Sequence, residues 1–451
     1  MNRNTFLALV IAMAVLSPQV TDANAQDKVE RRQPKPEVRY ELGADSLKNN
    51  DVPQGRLEGP HLFHSDIIEN TVRQYWVFVP AQYDKDKPAN VLVFQDGART
   101  MNPNGVIRAQ NVLENLIAKK QIPVTVGIFI TPGQRGDAFP DSIGFGNPNN
   151  RDREYDVLDD KYARFIVEEM LPEVGKKYNL SKDRADRAIG GSSSGGICAF
   201  TVAWQKPEEF RNVISFIGSF TNIHGGHVYP DLVLEAEKKD IRIFLQDGVN
   251  DLRRPDNLER DWHIQNQKMV AAFEEKGYDM AYVFGEGGHS DDHGGAMLPL
   301  MLRWVWRDHP DVEDKTDGDK LVAMAKAMKP KVTDPFPGFD ASAEVDPSGV
   351  YEWSGRMGRT RMASTLKVKN DGGKITGTLE TERDGEVTTA DIMNPTLEGN
   401  KLGFDIEREF NNREMKITYQ GIVHGDKIVG WQSFNFRGQD RDRGWEAKKA
   451  K

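Results

Sequence analysis

Residues 191–196 read Gly-Ser-Ser-Ser-Gly-Gly, entered from the apolar run Ala188-Ile189-Gly190 and left into Ile197-Cys198-Ala199-Phe200-Thr201-Val202-Ala203-Trp204. A strand that turns through Gly-x-Ser-x-Gly into a helix leaves the chain little freedom. Its central residue, here Ser193, takes a strained backbone conformation, and the glycines two positions to either side let strand and helix close on one another. A Gly/Ser-rich surface loop would have polar flanks; both flanks here are apolar, and the downstream one is helix-forming. The layout predicts a sharp bend that presents the Ser193 hydroxyl above a sheet.

A serine hydroxyl is a weak nucleophile unless a base takes its proton, so a histidine and an orienting acid are expected further along the chain. With such a bend the chain order is Ser, Asp or Glu, then His. Residues 241–246 read as a buried strand that empties into Asp247-Gly248-Val249-Asn250-Asp251, and residues 280–284 as the next, emptying into Gly285-Glu286-Gly287-Gly288-His289. The assignment is Ser193 as nucleophile, Asp251 as acid and His289 as base. Asp247 competes for the acid's place, although an Asp-Gly pair directly after a strand is commonly a turn former. His293 competes with His289 but stands where the next helix begins. His289, Asp291, Asp292 and His293, with His224 and His227, also have the residue types of a zinc or manganese site; the bend at Ser193 makes that the minor reading, and no metal is assigned. Donors for a developing oxyanion are expected from the backbone N–H of Ser194 and, after the strand 89–95, from that of Ala98.

Around these motifs, residues 59–310 alternate buried-type strands with amphipathic helices, which predicts a mostly parallel sheet covered on both faces, its site at the C-terminal strand ends. Residues 75–80 (Tyr-Trp-Val-Phe-Val-Pro) with Tyr83-Asp84, Phe94-Gln95-Asp96-Gly97-Ala98, Gly191 to Gly196, and Gly287-Gly288-His289-Ser290 together resemble the Putative esterase family of enterochelin esterases, esterase D, feruloyl esterases and mycobacterial mycolyl transferases. The resemblance spans roughly residues 60–310. It implies an α/β-hydrolase fold, a Ser-acid-His triad, no cofactor and hydrolysis of carboxylic esters. It supports Ser193, His289 and the Ala98 and Ser194 amides, and it favours Asp251 over Asp247. The segment 219–227 is richer in histidine than the family pattern, which leaves the pocket open.

Arg3, the apolar run 6–16 and Ala23-Asn24-Ala25 have the layout of a signal peptide cleaved after Ala25, too short to anchor in a bilayer, and no later stretch is long enough to span one. The expected location is the periplasm or the exterior. The one cysteine, Cys198, excludes an intramolecular disulfide and reads as a small buried thiol. A net charge of −9 argues against nucleic acid or an anionic membrane as a partner.

The expected organisation is a signal peptide (1–25), a flexible leader (26–56), the hydrolase domain (57–312), a linker with a short helix (313–345) and an all-β accessory domain (346–451). Period-two runs separated by Asp-Gly and Gly-Asn turns make that last domain a small antiparallel barrel or sandwich. Its aromatics, among them Trp353, Phe404, Tyr419 and Trp445, read first as core.

Arg135, Arg153 and Tyr155, in loops after the strand 124–131, and His224 and His227 are candidates to line the substrate mouth. The expected substrate is a small-molecule or polysaccharide ester, an acylated carbohydrate or a phenolic ester of acetyl or feruloyl type. A siderophore ester, acyl transfer to another alcohol, or an inert glycan- or lipid-binding protein are the alternatives.

Overall fold

The structure, a computed structural model, describes residues 31–34, 36–141, 143, 148–357, 360–383, 385–409, 414–436 and 439–450. The candidate signal segment 1–25 lies outside these residues. The chain divides into two compact units, one of residues 36–335 with 356–360, the other of 336–355 and 361–451 with residues up to 35.

The first unit is built on a mixed sheet whose main strands are β1 (Arg56–His64), β2 (Thr71–Val79), β3 (Asn90–Gln95), β4 (Thr125–Ile130), β5 (Arg187–Ser192), β6 (Asn212–Phe216), β7 (Arg242–Gly248) and β8 (Asp279–Gly285). Their order is β8-β7-β6-β5-β3-β4-β2-β1, with the two-residue strand Gln134–Arg135 added beside β2. From β8 to β4 every neighbouring pair is parallel; β2 runs antiparallel to both β4 and β1. Strands β3 to β7 are buried along their whole length. Their Val, Ile and Phe content follows, because a parallel strand with helices on both faces has no wet side.

One core cluster holds Val91, Val93, Ile128, Ile189, Phe200 and Phe273; the other, Leu92, Phe94, Phe129, Ile214, Phe244 and Leu302. The alternation of neighbours such as Leu92 and Val93 between clusters is the period of two that sends successive side chains to opposite faces. The sheet therefore orients its C-terminal edge, where β3, β5, β7 and β8 all end, toward a single set of loops.

Two segments expected outside this domain belong to it. In the expected leader, Glu37–Arg39 pairs antiparallel with Lys331–Thr333, and the Asn111 and Asn115 side chains donate to the carbonyls of Ser46, Asp45 and Leu47. The helix Gly318–Ala327, expected in a linker, buries Leu321 and Ala325 in the same cluster as Trp304 and Val305. Neither contact has a local sequence signal, since both partners lie far away in the chain.

The second unit is an antiparallel sheet of β9 (Gly349–Met357), β10 (Thr360–Asp371), β11 (Lys374–Arg383), β12 (Glu386–Asp391), β13 (Met393–Glu398), β14 (Lys401–Glu409), β15 (Glu414–His424), β16 (Lys427–Phe436) and β17 (Gln439–Lys449). Its order is β12-β11-β10-β9-β17-β16-β15-β14-β13. The edge strands β12 and β13 are consecutive in the chain, separated by Ile392 alone, so the sheet must roll up to bring its edges together. Tyr351, Leu366, Leu379, Phe404, Ile406 and Ile428 fill the interior.

The expected barrel or sandwich is corrected by this arrangement, because there is one sheet and its ladder is not closed. At the seam Asn394 has φ 49°, and the register of β13 against β14 shifts between Met393 and Thr396. Pro395 lacks the N–H that a ladder needs. Ile392 instead donates its N–H to the Gly377 carbonyl on β11, at 3.0 Å.

Candidate active site

Ser193 follows β5 and stands at the N-terminus of helix α3 (Ser194–Gln205), after α1 (Gly97–Thr100) and α2 (Ala109–Ala118). Its backbone sits at φ 59°, ψ −121°, a region that non-glycine residues rarely occupy. Backbone hydrogen bonds hold it there. Its N–H donates to the Phe216 carbonyl at 2.9 Å; its carbonyl accepts from Gly196 at 2.9 Å and from Ser219 at 3.0 Å. A Cβ on Gly191 would collide with the backbone of Gly195, so the first glycine of the turn is required by the close approach of strand and helix.

The Ser193 hydroxyl lies 2.9 Å from His289 Nε2, and His289 Nδ1 lies 2.6 Å from Asp251 Oδ1. Asp251 reaches the imidazole because its N–H donates to the Gly248 carbonyl at 3.0 Å, a turn that folds the chain back over the end of β7. The loops after β7 and β8 are tied together, Asn250 N–H donating to the Gly287 carbonyl at 3.2 Å. Asp251 is almost wholly buried, whereas the His289 side chain keeps 22% of its surface exposed. A base open on one side with a buried carboxylate behind it fits proton transfer at a substrate.

The two competitors named from sequence have other partners. Asp247 is fully buried, and its Oδ2 lies 3.0 Å from His263 Nδ1. Burial and the Asp251 carboxylate beside it raise Asp247 well above the ordinary carboxylate range. It thus backs the acid rather than orienting His289. His293 is buried in α4 (Asp291–Val305), stacked on Tyr40 at 3.8 Å and 3.2 Å from the Gln246 amide; burial pushes its pKa down to about 4. Among the described residues no three His, Cys, Asp or Glu side chains gather as a metal-holding group.

The Ser194 and Ala98 amides open the first turns of α3 and α1, where N–H groups have no intrahelical acceptor. Asp96, just before the Gly97-Ala98 turn, adopts φ 54°, ψ 45°. Its carboxylate accepts from Arg151 Nε and Nη2, both at 2.8 Å, and from Arg99 Nη2 at 3.2 Å. Burial alone would raise the Asp96 pKa, but the two guanidiniums outweigh it and hold it below the usual value. Arg99 also pairs with Asp291, which accepts from the Ser192 hydroxyl. Arg151 further donates to the Ser192 carbonyl at 3.2 Å. The network fastens the Ala98 loop to the strand that presents Ser193.

The candidate mouth residues fare differently. Tyr155 is fully buried, its phenol oxygen 3.5 Å from the Asp96 N–H, so it supports the Ala98 loop from beneath instead of facing a mouth. Arg135 Nε donates to Asn150 Oδ1 at 2.9 Å, and Arg153 is exposed. His224 Nε2 lies 3.1 Å from Asp152 and His227 Nε2 3.7 Å from Glu259; none of these four side chains bonds Ser193 or His289. Sequence reasoning missed Ser219 and Trp262. The Ser219 hydroxyl is 3.2 Å from that of Ser193 and accepts from Trp262 Nε1 at 3.1 Å, and the Trp262 ring meets His289 edge-on at 5.6 Å. Their signal was position alone: Ser219 lies just past the end of β6, as His289 does past β8.

Comparison with known proteins places the chain among esterases. Residues 68–304 match the family described as Putative esterase. Over 279 residues the chain is 25% identical to the iron(III) enterobactin esterase of Escherichia coli O6:H1, covering 60% of this chain and 62% of that protein. Over 206 residues it is 19% identical to "Uncharacterized protein YbbA" of Bacillus subtilis strain 168, covering 46% of this chain and 80% of the relative. Among solved structures, an enterobactin esterase from Shigella flexneri aligns with a TM-score of 0.45 and 21% identity, over 58% of this chain and 62% of its own. A ferulic acid esterase from Anaeromyces mucronatus aligns with a TM-score of 0.44 and 14% identity, over 58% and 97%. With its match covering more than half of its length, the chain belongs to the Putative esterase family.

Proposed function

We propose that the protein hydrolyses carboxylic esters through an acyl-enzyme on Ser193. The observation that carries this reading is the unbroken series from Ser193 Oγ through His289 to Asp251, at 2.9 and 2.6 Å. Ser193 Oγ attacks the acyl carbon while His289 Nε2 takes its proton, and the imidazolium is stabilised by Asp251. The Ala98 and Ser194 amides receive the oxyanion. His289 then protonates the departing alcohol, and water repeats the sequence to release the acid. Every role in this mechanism falls to a group of the chain, so the proposal calls for no cofactor.

The substrate we favour is an acylated carbohydrate or phenolic ester of acetyl or feruloyl type, met after export to the periplasm or the exterior. The signal-like N-terminus supports export. Among the described residues no helix is long and apolar enough to cross a membrane. A second reading, cleavage of a siderophore ester, is favoured by the likeness to the iron(III) enterobactin esterase. Arg135, Arg153, His224 and His227 are the side chains we would vary first for specificity.

Fluorophosphonate treatment should tag Ser193 covalently, and Ser193→Ala should abolish both the tag and p-nitrophenyl ester turnover. Full activity in Ser193→Ala would refute the mechanism, and an untagged, inactive wild type would favour the inert binding protein. Feruloyl and acetyl sugars assayed beside enterobactin-type esters would separate the two substrate readings.

A further inference from the structure

Five hydrogen-bonding groups form one chain through Ser193, and chemistry fixes its direction from both ends. At one end the indole Nε1–H of Trp262 can only donate, so Ser219 Oγ is its acceptor at 3.1 Å. At the other, Asp251 accepts from His289 Nδ1–H at 2.6 Å, which leaves Nε2 as an acceptor for the Ser193 hydroxyl at 2.9 Å. Ser193 has then spent its one proton. At the 3.2 Å contact between the hydroxyls the donor must therefore be Ser219.

The backbone bears the cost of this placement. Ile217, two residues before Ser219, has φ 40°, a true outlier for a β-branched residue. The turn is pinned by Ile217 N–H on the Gln246 carbonyl at 2.6 Å, Ser219 N–H on the Ser193 carbonyl at 3.0 Å, and Asn266 Nδ2 on the Gly218 carbonyl at 2.9 Å. Ser219 is fully buried, so no water competes for its hydroxyl.

We propose that Ser219 is a catalytic residue of this site: its hydroxyl, oriented by Trp262, donates a hydrogen bond to Ser193 Oγ and stabilises that oxygen whenever it carries negative charge. This rests on the acyl-enzyme reading above. The bond matters most in deacylation. Water adds to the acyl carbon as His289 Nε2 takes one of its protons. The tetrahedral intermediate then collapses, the bond from acyl carbon to Ser193 Oγ breaks with its electron pair moving to Oγ, and His289 returns the proton to it. Ser219 keeps its own proton throughout and lowers the cost of charge on the leaving oxygen. In acylation the same bond helps remove the proton but also tempers the attack, so the net gain there is smaller.

The test is stopped-flow hydrolysis of p-nitrophenyl acetate by the full chain as wild type, Ser219→Ala, Trp262→Phe and the double variant. Ser219→Ala should slow deacylation about ten-fold and acylation about two-fold, so that kcat and KM fall together as acyl-enzyme accumulates. Trp262→Phe keeps the ring against His289 but frees Ser219 to turn away, and should slow deacylation about three-fold. The double variant should match Ser219→Ala, because both changes act through one bond. A wild-type deacylation rate in Ser219→Ala, or additive losses in the double variant, would overturn the proposal. Should Ser219→Ala fail to fold, a wild-type deacylation rate in Trp262→Phe overturns it instead. Full turnover by Ser193→Ala would sink the acyl-enzyme reading itself; a normal burst and tag at Ser193 with no effect at Ser219 would sink this inference alone.

Discussion

The two units carry unusual backbone in different places. In the mixed-sheet unit Asp96, Ser193 and Ile217, none of them glycine, have φ of 54°, 59° and 40°, each at or just beyond the C-terminal end of a strand. In the antiparallel unit the described positive-φ residues are glycines such as Gly372, Gly373, Gly399 and Gly425, with Asn394 the exception. Glycine meets such a turn at little steric cost, whereas a side chain there holds strain that neighbouring contacts must offset. The first unit holds such side chains at the strand ends that carry its candidate site, as well as at Asn70, Arg108 and Lys120; in the second, the described left-handed positions fall to glycine but for Asn394.

Asp251→Asn is the sharpest way to break this contrast. It leaves the fold in place but puts the wrong tautomer on His289, and kcat should drop on the order of 10⁴-fold with melting temperature nearly unchanged. Phe404→Ala probes the opposite expectation. Phe404 is fully buried and stacks on Tyr419 at 5.0 Å, so its loss should cost about 3–5 kcal/mol of stability in a denaturant titration while kcat of the folded protein stays within about two-fold. A large loss of kcat would show that the antiparallel unit takes part in the chemistry. Ala98→Pro removes one backbone N–H and should lower kcat about 10²–10³-fold if that amide receives the oxyanion.

A pH-dependent effect concerns Asp156, which burial raises to about 7, with Ser194 and Arg151 pulling the other way. A raised pKa means that the folded state binds the proton more tightly than the unfolded chain. Stability should therefore fall as pH rises from about 4 to about 7, by at most about 1.4 kcal/mol per pH unit from this group. Asp156→Asn should flatten that slope in urea midpoints measured across the window; an unchanged slope would contradict it.

Ser193, Asp251 and His289 were legible because each follows an apolar strand, and strand ends on one sheet edge converge. Ala98 and Ser194, expected for the same reason, stand in the first turns of helices that follow strands. Tyr155 was misread because nothing in Arg151–Tyr155 says which side of so short a helix faces the core. Ser219 escaped notice because a lone hydroxyl has no partner within its own segment; its partners Ser193 and Trp262 are 26 and 43 residues away. The hairpins of the antiparallel unit could be counted from their turns, but the unclosed seam depends on two edges that meet only after the sheet has curled. Order in the segment around Tyr40 depends likewise on Lys331–Thr333, nearly three hundred residues on.

The seam at Ile392 divides the antiparallel unit into two meanders, β9 to β12 and β13 to β17, joined side by side where Tyr351 pairs with Lys449. The first and last strands are thus neighbours at the middle of the sheet, while the halfway point of the sequence lies at its rim. A circular permutant that linked the end of β17 to the start of β9 and opened the chain at Ile392 would keep every rung between paired strands.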